Sequence, residues 1–349
     1  MAAASLILLL TGCMPQRVSM RAMVTALEMT KTPTGWKAAA EYRMRSADTD
    51  KQIYGIYKGE GRSYEEALQN LEISSESGLY LDSVGCLIVD RSVSRGELFR
   101  LLAAVDDDGR VRSGTLLVFS DSVLENKNSK EWSAGEKIQE LLGESGKWQN
   151  MGRSIKDALN TLQTVGLGGF VPVVTMENDG YIFDGVTLLG ETKLVQLSRE
   201  EAKTLPLQLL AGQLPVLTLP CESGVCDVAL ERGTIRTSCI LENNMPKFIV
   251  TVSLQGYYKS VPEGVFDKTQ VSLTVADALK NQVEKEFETM ISQNVKANQT
   301  DIFSFGKICS FYRSNAWQVF EKNWPDYLVN VEYSVIPKIK VEDKRQLLR

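Results

Sequence analysis

Two stretches of strict alternation near the end of the chain constrain the fold most strongly. Apolar residues occupy every second position from Lys247 to Leu254 and again from Val329 to Val335, which is the period of a half-buried strand. Between them, Thr274 begins a segment with helical spacing that runs to about Asn294, and its predicted apolar stripe comprises Val275, Leu279, Val283, Phe287, Met290 and Ile291. These patterns predict an α+β domain in which an antiparallel sheet packs on one long helix.

The rest of the chain alternates between strand and helix patterns, so the overall fold class is mixed α/β and α+β. With 349 residues, the chain exceeds the size at which single cores usually stop growing. We therefore expect several domains. The predicted division is a signal peptide at 1–12, an N-terminal α/β domain at 13–120, a middle α/β domain at 121–214 and the C-terminal α+β domain at 215–349.

Local signals place several helices and turns. Ser63 with Glu66 and Ser198 with Glu201 have the spacing of a capping box, in which serine and glutamate side chains satisfy the first amides of a helix. The glycines at 59 and 61 also allow a phosphate loop, but no third glycine or Lys-Ser/Thr follows. The acidic run 106–108 allows a calcium loop, but Arg110 and Leu117 stand where ligands are needed, which favours an acidic turn.

Composition excludes several functional classes. The chain has no histidine, which removes Ser-His-Asp, Cys-His and histidine–metal chemistries together. Paired carboxylates, a Ser-Lys pair or a lone thiolate remain open, but none has a recognisable spacing. A net charge of −5 without a long basic run indicates no nucleic-acid partner. We therefore expect no enzyme activity, no cofactor and no metal site.

The segment Ser5–Gln16, SLILLLTGCMPQ, is apolar up to a cysteine and then turns polar. It is far shorter than the roughly 20 residues that span a bilayer, but its length suits the apolar region of a signal peptide. Leu10-Thr11-Gly12-Cys13 resembles the lipobox of bacterial lipoproteins, although no basic residue precedes it. This resemblance predicts that Cys13 is lipidated. The alternative is that Cys13 is a buried hydrophobe in a first strand.

The C-terminal part carries an aromatic motif, Asp301-Ile302-Phe303-Ser304-Phe305-Gly306, followed by Lys322-Asn323-Trp324. By itself, the motif indicates close packing. Its order after a long helix and before an alternating strand resembles the Ger(x)C family, the C subunits of bacterial spore nutrient germinant receptors. The resemblance extends to the lipobox, to the Gly61–Leu68 segment and to the Leu219-Pro220-Cys221 segment. The chain departs from the family pattern at Met14-Pro15 and at Asp82-Ser83.

The resemblance implies a lipoprotein on the outer face of the inner spore membrane. It would assemble there with membrane A and B subunits, as a non-enzymatic component built of three small domains. Contact with the small-molecule germinant is left open, and Cys13 is the one chemical site that the family supplies. Two alternatives are a substrate-binding lipoprotein of a transporter and an extracytoplasmic hydrolase.

The other cysteines have structural interpretations. Cys221 and Cys226 have four residues between them, next to Leu219-Pro220, and could form a disulfide outside the cytoplasm or remain free thiols. Cys86, Cys239 and Cys309 lie in apolar or strand-like segments, where we expect them to pack in the core.

Overall fold

The structure, a computed structural model, describes residues 22–45, 52–76, 78–121, 124, 127, 131–143, 148, 150–177, 180–221, 224–260 and 268–342. In these residues, a first sheet contains ten strands: β1 (Ala22–Thr32), β2 (Gly35–Arg45), β3 (Gln52–Gly61), β4 (Leu79–Tyr80), β5 (Cys86–Asp90), β6 (Leu116–Ser120), β7 (Arg153–Ser154), β8 (Phe170–Glu177), β9 (Gly180–Leu189) and β10 (Leu194–Ser198). Six helices occur in the same part: α1 (Tyr64–Ile73), α2 (Arg95–Asp108), α3 (Ala134–Leu142), α4 (Ile155–Gln163), α5 (Arg199–Ala202) and α6 (Leu205–Leu210).

The first sheet has a parallel centre and antiparallel edges. Its order is β10-β9-β8-β6-β5-β1-β2-β3, while β4 pairs with β1 and β7 with β6. The central strands β1, β5, β6 and β8 are parallel, since helical crossovers connect β5, β6 and β8. Hairpins add β2–β3 at one edge and β9–β10 at the other.

Helices cover both faces of this sheet. Buried residues of α1, α2 and α4 share one apolar cluster with one face. Residues of α3, α5 and α6 belong to a second cluster, which covers the other face and continues into the C-terminal sheet. Side chains on both faces are therefore buried, as is usual around parallel strands.

The predicted caps are present in the structure. The Ser63 hydroxyl accepts from the Glu66 amide at the start of α1, although the Glu66 carboxylate accepts from the Arg62 amide instead of closing the box on Ser63. Ser198 and Glu201 form a full capping box at α5. Gly59 lies where an added Cβ would be 2.1 Å from the Leu71 amide nitrogen, so the glycine allows α1 to pack directly on β3.

The acidic run at 106–108, expected as an acidic turn, ends α2, where Gly109 takes a left-handed conformation and Arg110 pairs with the Asp108 carboxylate. In the first sheet, β9 is one continuous strand through Gly185. Gly185 keeps it continuous because a Cβ there would lie 2.1 Å from the Leu197 carbonyl of β10.

The C-terminal part forms a four-stranded sheet in the described residues, in the order β11-β12-β13-β14. Its elements are β11 (Val216–Cys221), β12 (Gly224–Glu242), β13 (Met245–Ser260), α7 (Lys268–Met290), a π-helical continuation (Ile291–Ala297), α8 (Phe305–Tyr312), α9 (Ser314–Phe320), α10 (Trp324–Val329) and β14 (Glu332–Glu342). The fold class is confirmed, since one long helix packs on this sheet.

Two details of this part differ from the prediction. The helix starts at Lys268, not at Thr274, although the predicted stripe from Val275 to Ile291 is buried. The last strand, β14, runs parallel to β13, not antiparallel. A parallel neighbour requires a long crossover, and the helices between β13 and β14 supply it.

The predicted domain boundaries fall at two different kinds of position. The boundary at 214/215 immediately precedes β11 and the change of sheet. The boundary at 120/121 follows β6, and strands from both sides of it lie in the first sheet. The three-domain division stays a prediction.

Candidate functional site at the junction of the two sheets

The aromatic motif found in the sequence is built around a buried carboxylate. Asp301 is 2% exposed, and its carboxylate accepts hydrogen bonds from the amides of Phe305 (2.7 Å) and Gly306 (2.8 Å) and from the indole of Trp324 (3.0 Å). These amides open α8 and have no intrahelical partner of their own. Asp301 therefore caps α8 and holds α10 against it.

The phenylalanines of the motif pack between the sheet and the long helix. Phe305 stacks on Phe248 of β13 with ring centroids 4.5 Å apart, and Phe303 stacks on Phe287 of α7 at 5.7 Å. Trp324 is fully buried and meets Trp317 edge-on at 5.0 Å. The sequence-based interpretation of the motif as a packing cluster is confirmed.

The same motif contacts a glycine-rich loop from the first part of the chain. The Lys307 amide donates to the Gly166 carbonyl at 2.8 Å, and the Gly168 amide donates to the Ser304 hydroxyl at 3.0 Å. A Cβ on Gly166 would lie 2.5 Å from the Gly306 Cα. We call the contact of the loop 166–169 with the motif 301–306 the junction.

Two acidic side chains, Asp301 and Glu191, lie at the junction, and the charge of Glu191 acts on Asp301. Burial raises the pKa of Asp301 to about 7, the amides of Gly306 and Phe305 oppose that rise, and the nearby Glu191 adds to it. Burial also raises the pKa of Glu191, whose carboxylate accepts from the Gly166 amide at 2.7 Å. The junction is therefore held by hydrogen bonds to carboxylates on both of its sides.

The described residues contain no group of three or more Cys, Asp or Glu side chains placed to hold a metal ion. The Asp301 carboxylate is enclosed by its donors, so the junction offers positioning and not a reactive group. Among the helices that the structure describes, none combines the length and apolar composition needed to cross a membrane.

Of the cysteines predicted as sites, Cys221 and Cys226 are among the described residues and Cys13 is not. Cys13 lies outside the described residues, and its lipidation stays a prediction. Cys221 and Cys226 lie on the facing strands β11 and β12, where Cys226 pairs with Leu219, and both are free thiols in the structure. Burial raises the pKa of Cys226 to about 12, and the neighbouring Cys221 thiol adds to this. Their disulfide also stays a prediction.

The three remaining cysteines of the described chain are buried, as expected. Sequence reasoning did not find that Cys239 of β12 and Cys309 of α8 contact each other. The Cys309 thiol donates to the Cys239 sulfur; this hydrogen bond raises the pKa of Cys309, with burial adding to the rise, and lowers the pKa of Cys239. No local pattern indicates this contact, because 70 residues separate the two cysteines and β13 and α7 lie between them in the chain.

Two family models match the chain. Residues 21–176 match the spore germination protein N-terminal domain, and residues 184–344 match the spore germination B3/GerAC-like C-terminal domain. The second match contains the whole aromatic motif and β11–β14.

The chain belongs to the GerAC-like family of spore germination proteins.

A solved structure supports the fold of this GerAC-like protein. The crystal structure of the GerBC protein is similar with a TM-score of 0.60 and 15% sequence identity, over 90% of this chain and 96% of that chain. At this identity, the likeness shows the shared fold. No curated protein matches the chain. The resemblance inferred from the lipobox, the Gly61–Leu68 segment and the aromatic motif is thereby confirmed at the level of the family, which is that of germinant receptor C subunits.

Proposed function

We propose that this protein is the lipid-anchored C subunit of a spore nutrient germinant receptor and assembles with membrane A and B subunits to support the response to a germinant. The observation that carries the proposal is that two spore germination family models together match residues 21–176 and 184–344. The proposed location is the extracytoplasmic face of the inner spore membrane, with Cys13 as the acylated residue.

The architecture supports a role in assembly. The aromatic motif forms a junction with the glycine-rich loop 166–169, and the Asp301 carboxylate inside it is buried under its own hydrogen-bond donors. A chain without histidine lacks the usual general base. We therefore propose a non-enzymatic subunit whose surfaces bind protein partners.

The alternative is a substrate-binding lipoprotein of a transporter. Such a protein would be expected to have two similar α/β lobes around a cleft. The described residues instead form a mixed ten-stranded sheet and a smaller four-stranded sheet with a long helix. This asymmetry favours the receptor subunit.

Spores provide the direct test. Spores lacking the gene should lose the response to at least one nutrient germinant, and spores carrying Cys13→Ala should lose both the response and membrane retention of the protein. Cys221→Ala is the matched control, because Cys221 lies on β11, far along the chain from the anchor, and should leave retention intact. Normal germination in both test strains would refute the receptor proposal.

Assembly needs a separate experiment. Affinity purification of the tagged protein from solubilised spore membranes should recover A and B subunits of a germinant receptor. Recovery of transporter permeases instead would favour the alternative, and recovery of neither from extracts that contain A and B would refute the assembly.

A further inference from the structure

A cavity of about 390 Å³ lies between α4 and the start of β8, beside the junction. Its volume falls within the range of small-molecule sites. Its walls combine apolar groups with a few polar ones, and the lining residues that matter are Arg153, Asp157, Ala158, Asn160, Phe170 and Leu189. This combination of an apolar body and convergent polar groups is typical of a ligand pocket.

Arg153 is the cation of this cavity. Its Nη1 donates to the carbonyls of Asn150 and Gly152, each at 2.8 Å, and its guanidinium lies 4.0 Å from the ring centroid of Phe170. Burial lowers the pKa of Arg153. In the part of the chain that the structure describes, no carboxylate forms an ion pair with it. Arg153 is thus held in place by carbonyls and a ring and not by a direct ion pair.

The Asp157 carboxylate, whose charge acts on Arg153, also has a structural role. Asp157 accepts from the amide and the hydroxyl of Ser154 at 3.1 and 2.7 Å, closing the capping box of α4. It therefore fixes the start of α4, while its negative charge remains at the cavity wall.

We propose that this cavity binds a small organic carboxylate, with Arg153 as its ion-pair partner. A desolvated guanidinium favours an anion, and its planar fork fits the two oxygens of a carboxylate. The single cation and the nearby Asp157 charge disfavour a dianion such as phosphate. The apolar wall formed by Ala158, Phe170 and Leu189 favours a ligand with a short apolar tail.

The position of the cavity connects the ligand to the junction. Gly168 lines the cavity, its amide donates to Ser304, and a Cβ there would lie 2.1 Å from the Asp301 carbonyl. A carboxylate bound to Arg153 would stabilise the folded chain by mass action and would hold the loop 166–169 from its other side. This inference goes beyond the proposed receptor function and does not depend on it.

Isothermal titration and thermal melting of the full-length protein test the proposal. The probes are sodium butanoate, sodium phosphate and butylamine hydrochloride, at constant ionic strength. Butanoate should bind saturably in the millimolar range and raise the melting temperature, while phosphate and butylamine should not. Failure of butanoate to bind, or equal binding of phosphate, would overturn the proposal.

Three variants make the test specific to the cavity. Arg153→Gln removes the charge and Asn160→Asp adds an opposing charge at an exposed position of the wall, so each should weaken butanoate binding by roughly tenfold or more. Arg112→Gln is the matched control, since Arg112 is an exposed arginine that pairs with Asp82 and does not line the cavity. Wild-type affinity in both cavity variants, with native circular dichroism spectra, would refute the assignment. Weakened binding in the Arg112 variant would do so too.

Discussion

Single residues in this protein show how a buried charge can be made tolerable. Glu41 of β2 is fully buried, and its carboxylate accepts from Lys127 Nζ at 2.6 Å, from the hydroxyls of Thr25 (2.6 Å) and Ser133 (2.7 Å) and from the Ala134 amide (2.9 Å). Burying an ion pair is costly unless further hydrogen bonds satisfy it. Here, the bonds also tie Lys127 and the start of α3 to the first sheet.

Replacing Glu41 by glutamine should strongly destabilise the protein. The change leaves the Lys127 ammonium buried without its counter-charge, and breaking such a pair typically costs about 3–5 kcal/mol. Urea denaturation should show this loss in the free energy of unfolding.

A second variant measures the interaction between Glu41 and Lys127 separately from the contribution of each side chain. Glu41→Gln combined with Lys127→Met removes both charges, and the double variant should be more stable than Glu41→Gln alone. If the loss in free energy of unfolding of the double variant equals the sum of the losses in Glu41→Gln and in Lys127→Met, the two side chains do not act as a pair.

Asp301 should make stability depend on pH. Burial raises its pKa in the folded protein to about 7, well above the ordinary value of an aspartate near 4, so the folded state keeps a proton that the unfolded state releases between these values. The free energy of unfolding should therefore fall as the pH rises from about 4 to about 7 and then level off.

Asp301→Asn isolates this contribution. The variant lacks the titrating group, so the stability advantage of wild type over it should shrink by more than about 1.4 kcal/mol between pH 4 and 7.5. Glu191 is present in both proteins, and its pKa is set by burial, the Gly166 amide and Arg95, so its own titration largely cancels in the difference. Parallel pH profiles for the two proteins would contradict the assignment.

At the scale of elements, close packing at the junction depends on glycines. A Cβ on Gly306 would lie 2.5 Å from the Gly166 Cα and 2.7 Å from the Trp317 ring. Two segments of chain approach there without side chains between them, and backbone hydrogen bonds across the contact require that approach.

Gly306→Ala should therefore push the loop 166–169 away from α8. Overpacking of this kind typically costs about 1–3 kcal/mol, which a thermal melt would detect. The control is Gly114→Ala, because a Cβ at Gly114 meets nothing within 4 Å. Equal melting temperatures for both variants would mean that the junction accommodates the added methyl group without loss of stability.

On the scale of the whole molecule, one apolar cluster runs from the first sheet into the second. Its members include Ile88 and Val118 of the first sheet and Val250 and Leu279 of the C-terminal part. Shared cores usually unfold together, because opening one part exposes the apolar surface of the other.

We expect a single unfolding transition for the parts on either side of the junction. Tryptophan fluorescence reports on both, through Trp36 and Trp132 in the first and Trp317 and Trp324 in the second, and circular dichroism reports on the backbone. The two signals should give the same urea midpoint. Separate midpoints would support the predicted division into independent domains.

The sequence by itself determined the local parts of this protein. Periodicity placed the stripe of α7 and the strand β13, and serine with a glutamate three residues later placed the starts of α1 and α5. The order of the lipobox, the Gly61–Leu68 segment and the motif at Asp301 indicated the family. Side-chain periodicity and helix capping depend only on residues within one helical turn or one strand, so the local sequence is enough to predict them.

Only the tertiary structure decided what meets across long separations. The burial of Glu41 depends on Lys127, Ser133 and Ala134, which lie 86 to 93 residues further along the chain. The contact of Gly166 with Gly306, the contact of Cys239 with Cys309 and the parallel direction of β14 likewise follow from how the chain crosses over. Such contacts depend on packing against distant segments, and no local pattern encodes them.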